Sequence, residues 1–499
     1  MLAGSINTNV DALFALNALQ TTSNATSNLE QELSTGLAVN GPQDNPAAYI
    51  AAQGFQTQIG GTTQAISNAN QAISLVQTAN GGITQQINIL QQIRTIADQA
   101  ANGTNDTQQL QSLQQVVSQL QTQVSTIGNQ TTFSGFNLLN GSVNGLQFQV
   151  GAFEGQTLNV SIGSTLANAI GVNQTTAATT GGYVVSGSGT GGVGDNTGNS
   201  YAITAAGAGG FKAGTVTIAG SAGSSNVTVT APESASDIAS SVNALTPNTN
   251  VSAVADTSAA FTVTSGSFSF TLGNGTGASQ TNAVNISATV TSASTTGLES
   301  LVDAINQQTS ATGVTASVNS SNQLILTNAT GDNVSIANFS GTGTLEAGGS
   351  TKVTLEASGG STAATVQGLV TFQSNQNFAL SSGASDIGLK SNSGLTALSS
   401  VNVDTIAGAN SALNVVDFAL QNLENTGAQL GAVQQALQAT ASNLQTTSTN
   451  LTAAQSVVQD ANIPQVTTQL TQEEILQQAG VSALSQSSTL EQSFLKLLQ

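Results

Sequence analysis

An apolar residue recurs at every seventh position over six consecutive steps near the C-terminal end of the chain, and no other feature constrains the fold as much. A seven-residue period is the pattern of a helix whose apolar edge packs against other helices. Because the series has no break, we expect a long helix with helical partners along its whole length. The series consists of Val416, Leu423, Leu430, Leu437, Leu444, Leu451 and Val458.

A similar seam runs along the first part of the chain. Two seven-residue series lie there four positions apart, as the a and d positions of a coiled coil do, and only Asn80 interrupts the first of them. Apolar spacing from Leu110 to Ile127 predicts a further helix. We therefore expect the helices of the two ends to pack on each other. The first series is Ile59, Ile66, Ile73, Ile87 and Arg94, and the second is Ala69, Val76, Ile83, Leu90 and Ala97.

Local signals mark where these helices begin and end. Asn45 and Pro46 are the pair expected at a helix start, because the Asn side chain caps free N–H groups and Pro has no N–H to leave unpaired. A helix of about fifty residues is predicted from this point. The segment Ala101–Thr104 breaks it, and Asp106 with Gln109 resembles a capping box that starts the next helix.

After Gly128 the apolar period changes from that of a helix to that of a strand. Two short runs alternate apolar and polar residues, with Glu154 and Gly155 at a turn between them. This pattern predicts a β-hairpin laid against the helices. The apolar positions are Leu146, Phe148 and Val150 in the first run and Leu158, Val160 and Ile162 in the second.

The two outermost segments carry apolar stripes flanked by Thr, Ser, Asn and Gln, so neither stripe has much to pack against in its own chain. Short amphipathic helices of this kind are marginal alone. We expect both termini to be largely disordered in the free subunit and to become ordered on assembly. The residues predicted for these assembly helices are Ile6, Val10, Leu13, Leu16, Ile463, Val466, Leu470, Leu476, Leu484, Leu495 and Leu498.

Composition excludes several classes of function. Lys and Arg number 5 against 24 Asp and Glu, a net charge of −19, so nucleic acid would repel the chain. Without Cys or His there are no disulfides, common zinc sites or His-activated nucleophiles, and we predict no enzymatic activity, cofactor or metal. The first ten residues lack the features of a secretory signal, and no apolar stretch is long enough to span a membrane, so no membrane insertion is expected.

The middle of the chain, residues 176–399, is rich in Gly, Ser and Thr and predicts an inserted, exposed, β-rich region. Two stretches, about 215–275 and 285–340, suggest an internal repeat, because Asp237–Leu245 parallels Gly297–Ile305. Each copy is predicted as a short helix followed by two strands. Chance likeness between Ser- and Thr-rich sequences is the alternative. The strands are Val251–Val254 and Phe261–Thr264 in the first copy and Val314–Val318 and Leu324–Thr327 in the second.

Segments at both ends of the chain resemble those of bacterial flagellins, and they occur in the family's order. Glu32–Asn40 resembles the flagellin segment with the sequence Ser-Ser-Gly-Leu-Arg-Ile-Asn, and Ala100–Asn105 is similar to a helix segment of the family. Phe133–Gly141 is similar to the hairpin region, and Ile475–Gly480 matches the C-terminal helix closely. Each segment alone is a weak signal, but the set in the right order is highly specific.

The resemblance implies a structural subunit that polymerises into the flagellar filament for swimming motility. It implies a terminal coiled-coil core domain of residues 1–45 with 460–499, a helical bundle domain with the hairpin of residues 46–175 with 400–459, and the outer insertion. The implied partners are other copies of the chain, a flagellar export chaperone that binds Thr471–Gln499, the filament cap and the hook-junction proteins. The implied location is extracellular, after export by the flagellar secretion apparatus without a cleaved signal peptide.

The chain departs from the family by carrying neutral residues where relatives carry charges. Ala38 stands at the site of an Arg, and Gln455 and Val457 stand where Arg residues flank Ser456. Contacts between subunits that are ionic in relatives are therefore expected to be apolar or hydrogen-bonded here. The change fits either an acidic habitat, where carboxylates protonate and ion pairs fail, or simple lineage drift.

The same departure affects the segment that innate immune receptors recognise in some flagellins. The resemblance aligns Gln91, Ile93 and Arg94 with that segment. Gln92 and Thr95 occupy the sites of an Arg and a Glu. Arg94 is kept, so the segment retains part of the pattern.

Two other functions fit parts of the sequence. A hook–filament junction protein shares the helical ends but forms one ring, and the long insertion favours a filament subunit. A secreted Ser/Thr-rich adhesin would explain the middle of the chain but leaves the paired terminal heptads unexplained.

Overall fold

The computed structural model describes residues 10–103, 105–177, 184–186, 214–230, 233–276, 279–319, 321–347, 353–357, 362–382 and 392–497. Long helices lie at both ends of the chain and strands lie between them, which confirms the predicted α+β architecture. The chain forms two compact units, one of Met1–Asn80, Val143–Ile162 and Ala428–Gln499 and one of Gly81–Ser142 and Gly163–Gly427. The predicted division into three domains stays a prediction.

Among the described residues, five helices are long, and four short ones belong to the middle of the chain. In chain order they are α1 (Val10–Thr35), α2 (Pro46–Ala101), α3 (Thr107–Gln130), α4 (Ala235–Ala244), α5 (Thr246–Thr249), α6 (Thr295–Asn306), α7 (Thr309–Thr312), α8 (Ile406–Gln459) and α9 (Ile463–Leu497), with a 3-10 turn at Leu398–Ser400.

The described strands begin after α3 and end before α8. They are β1 (Thr132–Phe133), β2 (Phe136–Asn137), β3 (Leu146–Gln149), β4 (Thr157–Val160), β5 (Gly171–Ala177), β6 (Val184–Ser186), β7 (Gly214–Ala219), β8 (Ser224–Val229), β9 (Ser252–Val263), β10 (Gly266–Thr276), β11 (Ser279–Val290), β12 (Val314–Val318), β13 (Leu324–Asn328), β14 (Val334–Gly341), β15 (Leu345–Ala347), β16 (Val353–Leu355), β17 (Ala363–Val366), β18 (Leu369–Ser374), β19 (Ala379–Ser382) and β20 (Gly394–Ala397).

Three antiparallel sheets organise the middle of the chain. The largest has the order β12-β13-β9-β18-β5-β20, with β15 paired to β9 and β16 to β15. The second has the order β11-β10-β14-β17-β6, and the third β19-β7-β8. Helix α6 shares one apolar core with strands β9 to β17, in which the Phe268 and Phe339 rings meet edge to face with centroids 5.9 Å apart. Helix α4 packs in a separate core with strands of the first repeat.

The predicted helix ends of α2 and α3 are confirmed. Helix α2 starts at Pro46, and the Asn45 Oδ1 accepts a hydrogen bond of 3.1 Å from the Ala48 N–H. It ends at Ala101, at the predicted break. The Asp106 side chain accepts from the Gln109 N–H at 2.7 Å, and the Gln109 Oε1 accepts from the Asp106 N–H at 3.0 Å. These two bonds are the reciprocal pair of a capping box.

Along α2 one predicted heptad series is buried, and the members of the other are half-buried or exposed. Val76, Ile83 and Leu90 are buried, whereas Arg94 is exposed and the predicted isoleucines are half-buried. A second buried series is offset by one residue, toward the N-terminus, from the predicted series that begins at Ile59. Small side chains let helix axes approach closely, so the line of alanines is covered and the larger isoleucines flank it. The half-buried isoleucines are Ile59, Ile66, Ile73 and Ile87, and the buried second series is Ala65, Ala72, Ala79, Gln86, Ile93 and Ala100.

The C-terminal heptad series is covered only over its first part. Leu423, Leu430 and Leu437 of α8 are buried. Leu444 and Leu451 are half-buried. The predicted role of both heptad series as a continuous coiled-coil seam stays a prediction.

The predicted hairpin is confirmed. Strands β3 and β4 pair antiparallel, with Leu146 opposite Val160 and Phe148 opposite Leu158. The Asn68 Nδ2 of α2 donates to the backbone oxygen of Gln149 at 3.0 Å, so the hairpin lies against α2.

The internal repeat is present, but its register and its strands differ from the prediction. Helix and short helix recur as α4–α5 and α6–α7, and the hydrogen bonds make Asn243 equivalent to Asn306, one helical turn beyond the Asp303 predicted for it. The first copy has the single strand β9 where two strands were predicted. In the second copy the two predicted strands are separate, as β12 and β13.

Candidate functional site: the terminal helices

The two ends of the chain are joined by backbone hydrogen bonds beside the ends of α1 and α8. Helix α1 stops at Gly36, whose φ of 75° is the left-handed conformation that glycine adopts readily. The Ala461 N–H donates to the Gly36 oxygen at 2.9 Å, and the Ala38 N–H donates to the Gln459 oxygen at 2.8 Å. A bridge between Leu37 and Asp460 completes the junction. This ladder sets α1 beside the start of α9, and the two helices pack along each other.

The helices α1 and α9 keep large apolar side chains exposed even where they pack together. Near the start of α1 the exposed fraction runs from 50 % at Val10 to 71 % at Phe14, with Leu13 and Leu16 between these values, and Leu33 near its end is also exposed. On α9 the exposed apolar residues are Ile463, Ile475, Leu476 and Val481. Phe14, Ile475 and Val481 were not among the predicted assembly residues, although they lie beside them in sequence.

The remaining predicted assembly residues have different surroundings. Val466 is buried, and Leu470 and Leu484 are half-buried. Leu495 belongs to α9. Ile6 and Leu498 lie outside the described residues.

Polar groups on these helices are largely satisfied within the helix itself. On α1 the Thr21 hydroxyl donates to the Asn17 oxygen at 2.9 Å, and the Thr26 hydroxyl to the Thr22 oxygen at 3.0 Å. On α9 the Thr468 and Thr471 hydroxyls make the same kind of bond one turn back. A hydroxyl bonded to its own helix turns its methyl group outward. Acidic side chains also lie near the exposed apolar residues: Asp11 on α1, and Glu473 and Glu474 on α9.

Glu32 is a charged group close to the junction of the two ends. Partial burial raises the pKa of the Glu32 carboxyl above its ordinary value, and the negative charge of Asp44 raises it further. Glu32 also lies in the last turn of α1, where the helix dipole disfavours a negative charge.

In the other unit, Arg94 of α2 pairs with Asp417 of α8. Its Nε donates to the Asp417 Oδ1 at 2.7 Å, and both side chains are nearly half exposed. The hydrogen bond and the charge of Asp417 raise the Arg94 pKa above its ordinary value. Gln91 is exposed and Ile93 is buried, so only part of the predicted receptor segment faces solvent.

Two searches of the described residues bear on other classes of function. Within the described part of the chain, no helix combines the length and apolar character needed to cross a membrane. The same residues hold no group of three or more carboxylate, His or Cys side chains that could bind a metal ion.

The sequence is similar to known families over both helical ends and part of the middle. The bacterial flagellin N-terminal helical region matches residues 6–144, and the C-terminal helical region matches residues 413–498. The flagellin hook IN motif matches residues 268–330, which contain α6 and α7 of the second repeat.

Of three relatives, two are similar over the whole chain and one over about a third of it. The B-type flagellin of Pseudomonas aeruginosa is 34% identical over 521 aligned residues, which cover 100% of each protein. The polar flagellin F of Vibrio parahaemolyticus is 26% identical over 497 residues, again covering 100% of each. A flagellin of Xenorhabdus nematophila is 37% identical over 162 residues, which are 32% of this chain and 52% of that protein.

Proposed function

Because this chain belongs to the bacterial flagellin family and is a structural subunit of the extracellular flagellar filament, we propose that the exposed apolar residues of α1 and α9 form its contacts with neighbouring subunits. The observation that carries the proposal is that α1 buries no apolar side chain among its described residues while it packs along α9. A stripe of this kind is costly in water and is covered in a stable assembly.

Burial of this stripe by neighbouring subunits would contribute free energy to polymerisation. Complete burial of a Val, Leu or Phe side chain contributes about 1.5–3 kcal/mol. In the single subunit, half or more of the surface of four residues is exposed to solvent: Val10, Leu13, Phe14 and Leu16. The half-buried isoleucines of α2 would add further contacts of the same kind.

The substitution Val10→Ser tests this packing with a matched control. Val10 and Val254 are both 50% exposed, the first on α1 and the second on β9. We expect Val10→Ser to leave the soluble subunit folded and to raise the critical concentration for assembly about three- to tenfold, because part of a valine burial is lost at every interface. Val254→Ser should leave the critical concentration unchanged. Equal effects of the two substitutions would contradict the proposal.

We further propose that the C-terminal half of α9 binds the flagellar export chaperone before assembly. Ile475, Leu476 and Val481 offer an exposed apolar surface there, and the family resemblance supports the segment Thr471–Gln499. Coverage of this surface in the cytoplasm would prevent premature polymerisation. A chain with Ile475→Ser and Val481→Ser should lose binding to the flagellar export chaperone of the same species, while Val254→Ser retains it.

The same family supports export through the flagellar secretion apparatus without a cleaved signal peptide, and contacts with the filament cap and the hook-junction proteins. We propose these as the remaining partners. We propose no catalytic role, because the chain has no His or Cys to activate a nucleophile. Secretion of the unprocessed chain by a strain that lacks only the general secretory signal peptidase would support the export route; an N-terminus cut in the secreted protein would contradict it.

A further inference from the structure

In the second repeat, side chains of α6 and α7 occupy the edge of a β-sheet. The Asn306 Nδ2 donates to the Ala316 oxygen at 2.9 Å, and the Asn306 Oδ1 accepts from the Ala316 N–H at 2.7 Å. The Thr309 hydroxyl donates to the Val314 oxygen at 2.8 Å, and the Thr312 hydroxyl accepts from the Val314 N–H at 3.1 Å. One amide and two hydroxyls thus satisfy four backbone groups of β12.

The first repeat makes the same four bonds with equivalent residues. Asn243 bonds the oxygen and N–H of Ala253 at 2.9 and 2.7 Å. The Thr246 hydroxyl donates to the Val251 oxygen at 3.0 Å, and the Thr249 hydroxyl accepts from the Val251 N–H at 3.2 Å. We call this set of three side chains the edge cap. Its recurrence in two copies shows that it is a feature of the repeat.

The edge cap of the second repeat lies where another strand would add. Strand β12 is the last strand of its sheet, and β13 is its one partner among the described strands. A backbone N–H makes one linear hydrogen bond, so Val314 and Ala316 direct their N–H groups away from β13 and toward the cap. Asn306 therefore presents to Ala316 the donor and acceptor that a neighbouring strand would present.

Strand β12 lacks the usual protections of an edge strand. Its sequence, Val-Thr-Ala-Ser-Val, has neither charge nor Pro. Such an edge is a template for another strand unless something blocks it. The edge strand β11 shows a different protection, since Asn282 adopts a left-handed φ of 54° and the pairing of β10 with β11 shifts register nearby.

We propose that the edge cap of the second repeat prevents β12 from pairing with the same edge of a second copy of this chain. This inference rests on the proposed function, because a filament holds many copies close together and makes even weak strand pairing effective. Antiparallel pairing of two identical β12 edges is the contact that fits, because the edge is uncharged and has the same sequence in every copy. Asn306 is exposed, so its loss would open the N–H and oxygen of Ala316, at the centre of β12, directly to solvent.

The test is Asn306→Ala in the full chain. On soluble subunits below the critical concentration, hydrogen exchange of the Ala316 amide should accelerate about fivefold or more, because its acceptor is lost. On filaments, we expect an unchanged critical concentration but sideways association, visible as bundles in electron micrographs and as sedimentation at low speed. Dispersed filaments despite faster exchange at Ala316 would overturn the proposal, and so would unchanged exchange.

Asn319→Ala is the matched control. The Asn319 Oδ1 accepts hydrogen bonds from the N–H groups of Ser321 and Gln323 in the turn after β12, so the same substitution removes bonds at a position away from the edge. These filaments should stay dispersed. Should Asn306→Ala reduce the folded fraction, Asn306→Asp keeps an acceptor for the Ala316 N–H and adds a repelling charge. We expect this variant to fold and its filaments to stay dispersed. Bundling of its filaments would contradict the proposed role of the edge cap.

The exchange measurement separates this proposal from the proposed subunit packing. Failure of every chain to assemble, the unaltered one included, would count against packing by α1 and α9. The Ala316 exchange rate tests the cap in the single subunit, whatever the outcome of assembly.

Discussion

Helices α1 and α6 differ in how many of their apolar side chains are buried. Helix α1 has 26 residues and buries Thr26 alone among those described, whereas α6 has 12 residues and buries Leu298, Leu301 and Ile305. Helix α6 therefore obtains its stability from contacts within its own chain. Helix α1 leaves its apolar residues at the surface of the described chain. The difference supports the proposal that neighbouring subunits complete the ends, whereas the middle of the chain buries its apolar residues by itself.

This difference follows from what each helix packs against. Helix α6 lies on strands that contribute aromatic and branched side chains to a common core. Helix α1 packs along one other helix, and two helices alone cannot surround each other's side chains. A subunit that folded completely before assembly would leave less free energy for polymerisation.

Deletion of each region gives the largest expected effect. Removal of residues 181–393 should leave assembly intact, because β5 and β20 on either side of the cut pair with each other, with Gln174 opposite Gly394. Removal of Thr471–Gln499 should raise the critical concentration by more than about a hundredfold, since several apolar contacts of roughly 1.5 kcal/mol each are lost. Electron microscopy and sedimentation of purified chains measure both results.

Tubes formed by the chain without Thr471–Gln499 would show that the C-terminal end is not needed for assembly. Loss of assembly in the chain without residues 181–393 would show that the middle of the chain is needed. In that event the middle of the chain would take part in polymerisation.

The same substitution, Leu→Ala, should have different effects on subunit stability in α6 and in α1. Leu301→Ala removes a side chain buried in the core of α6 and should cost about 2–5 kcal/mol in the unfolding of the middle region. Leu16→Ala removes a half-exposed side chain of α1 and should change the stability of the free subunit by less than about 0.5 kcal/mol. Calorimetry of soluble subunits measures both.

In assembly the order of the two effects should be reversed, with the larger change in critical concentration for Leu16→Ala. Leu16→Ala should raise the critical concentration, whereas Leu301→Ala should leave it near the original value as long as the middle region stays folded. A large loss of subunit stability from Leu16→Ala would mean that α1 is already packed in the single chain.

The elements that the sequence predicted correctly are those with local causes. Asn45 with Pro46 and Asp106 with Gln109 act on backbone groups a few residues away, so their pattern fixes the start of a helix by itself. The hairpin of β3 and β4 also depends on near neighbours. None of these needs knowledge of the rest of the fold.

Other features depend on tertiary packing, which local patterns do not determine. The apolar spacing on α2 predicts a seam through Ile66 and Ile73, which stays a prediction, and the single subunit buries Ala65 and Ala72 beside it. The repeat was aligned one helical turn away from its true register, because apolar spacing repeats at each turn and cannot fix the position alone. The bond of Asn306 with Ala316 fixes it, and that bond exists only in the folded chain.

Glu32 gives the smallest predicted effect and tests whether the ends tolerate charge. Because burial and Asp44 raise its pKa in the folded chain, the folded state binds a proton more readily than the unfolded state does. Ionised Glu32 therefore destabilises the fold above its folded-state pKa, and this cost disappears as pH falls below the unfolded value. Glu32→Gln should slightly stabilise the subunit at neutral pH and make no difference in acid. Urea unfolding at both pH values measures the change. Glu30→Gln on the same helix is the control for the loss of one charge. A stabilisation by Glu32→Gln that persists or grows in acid would show that its cause is not the ionised carboxylate.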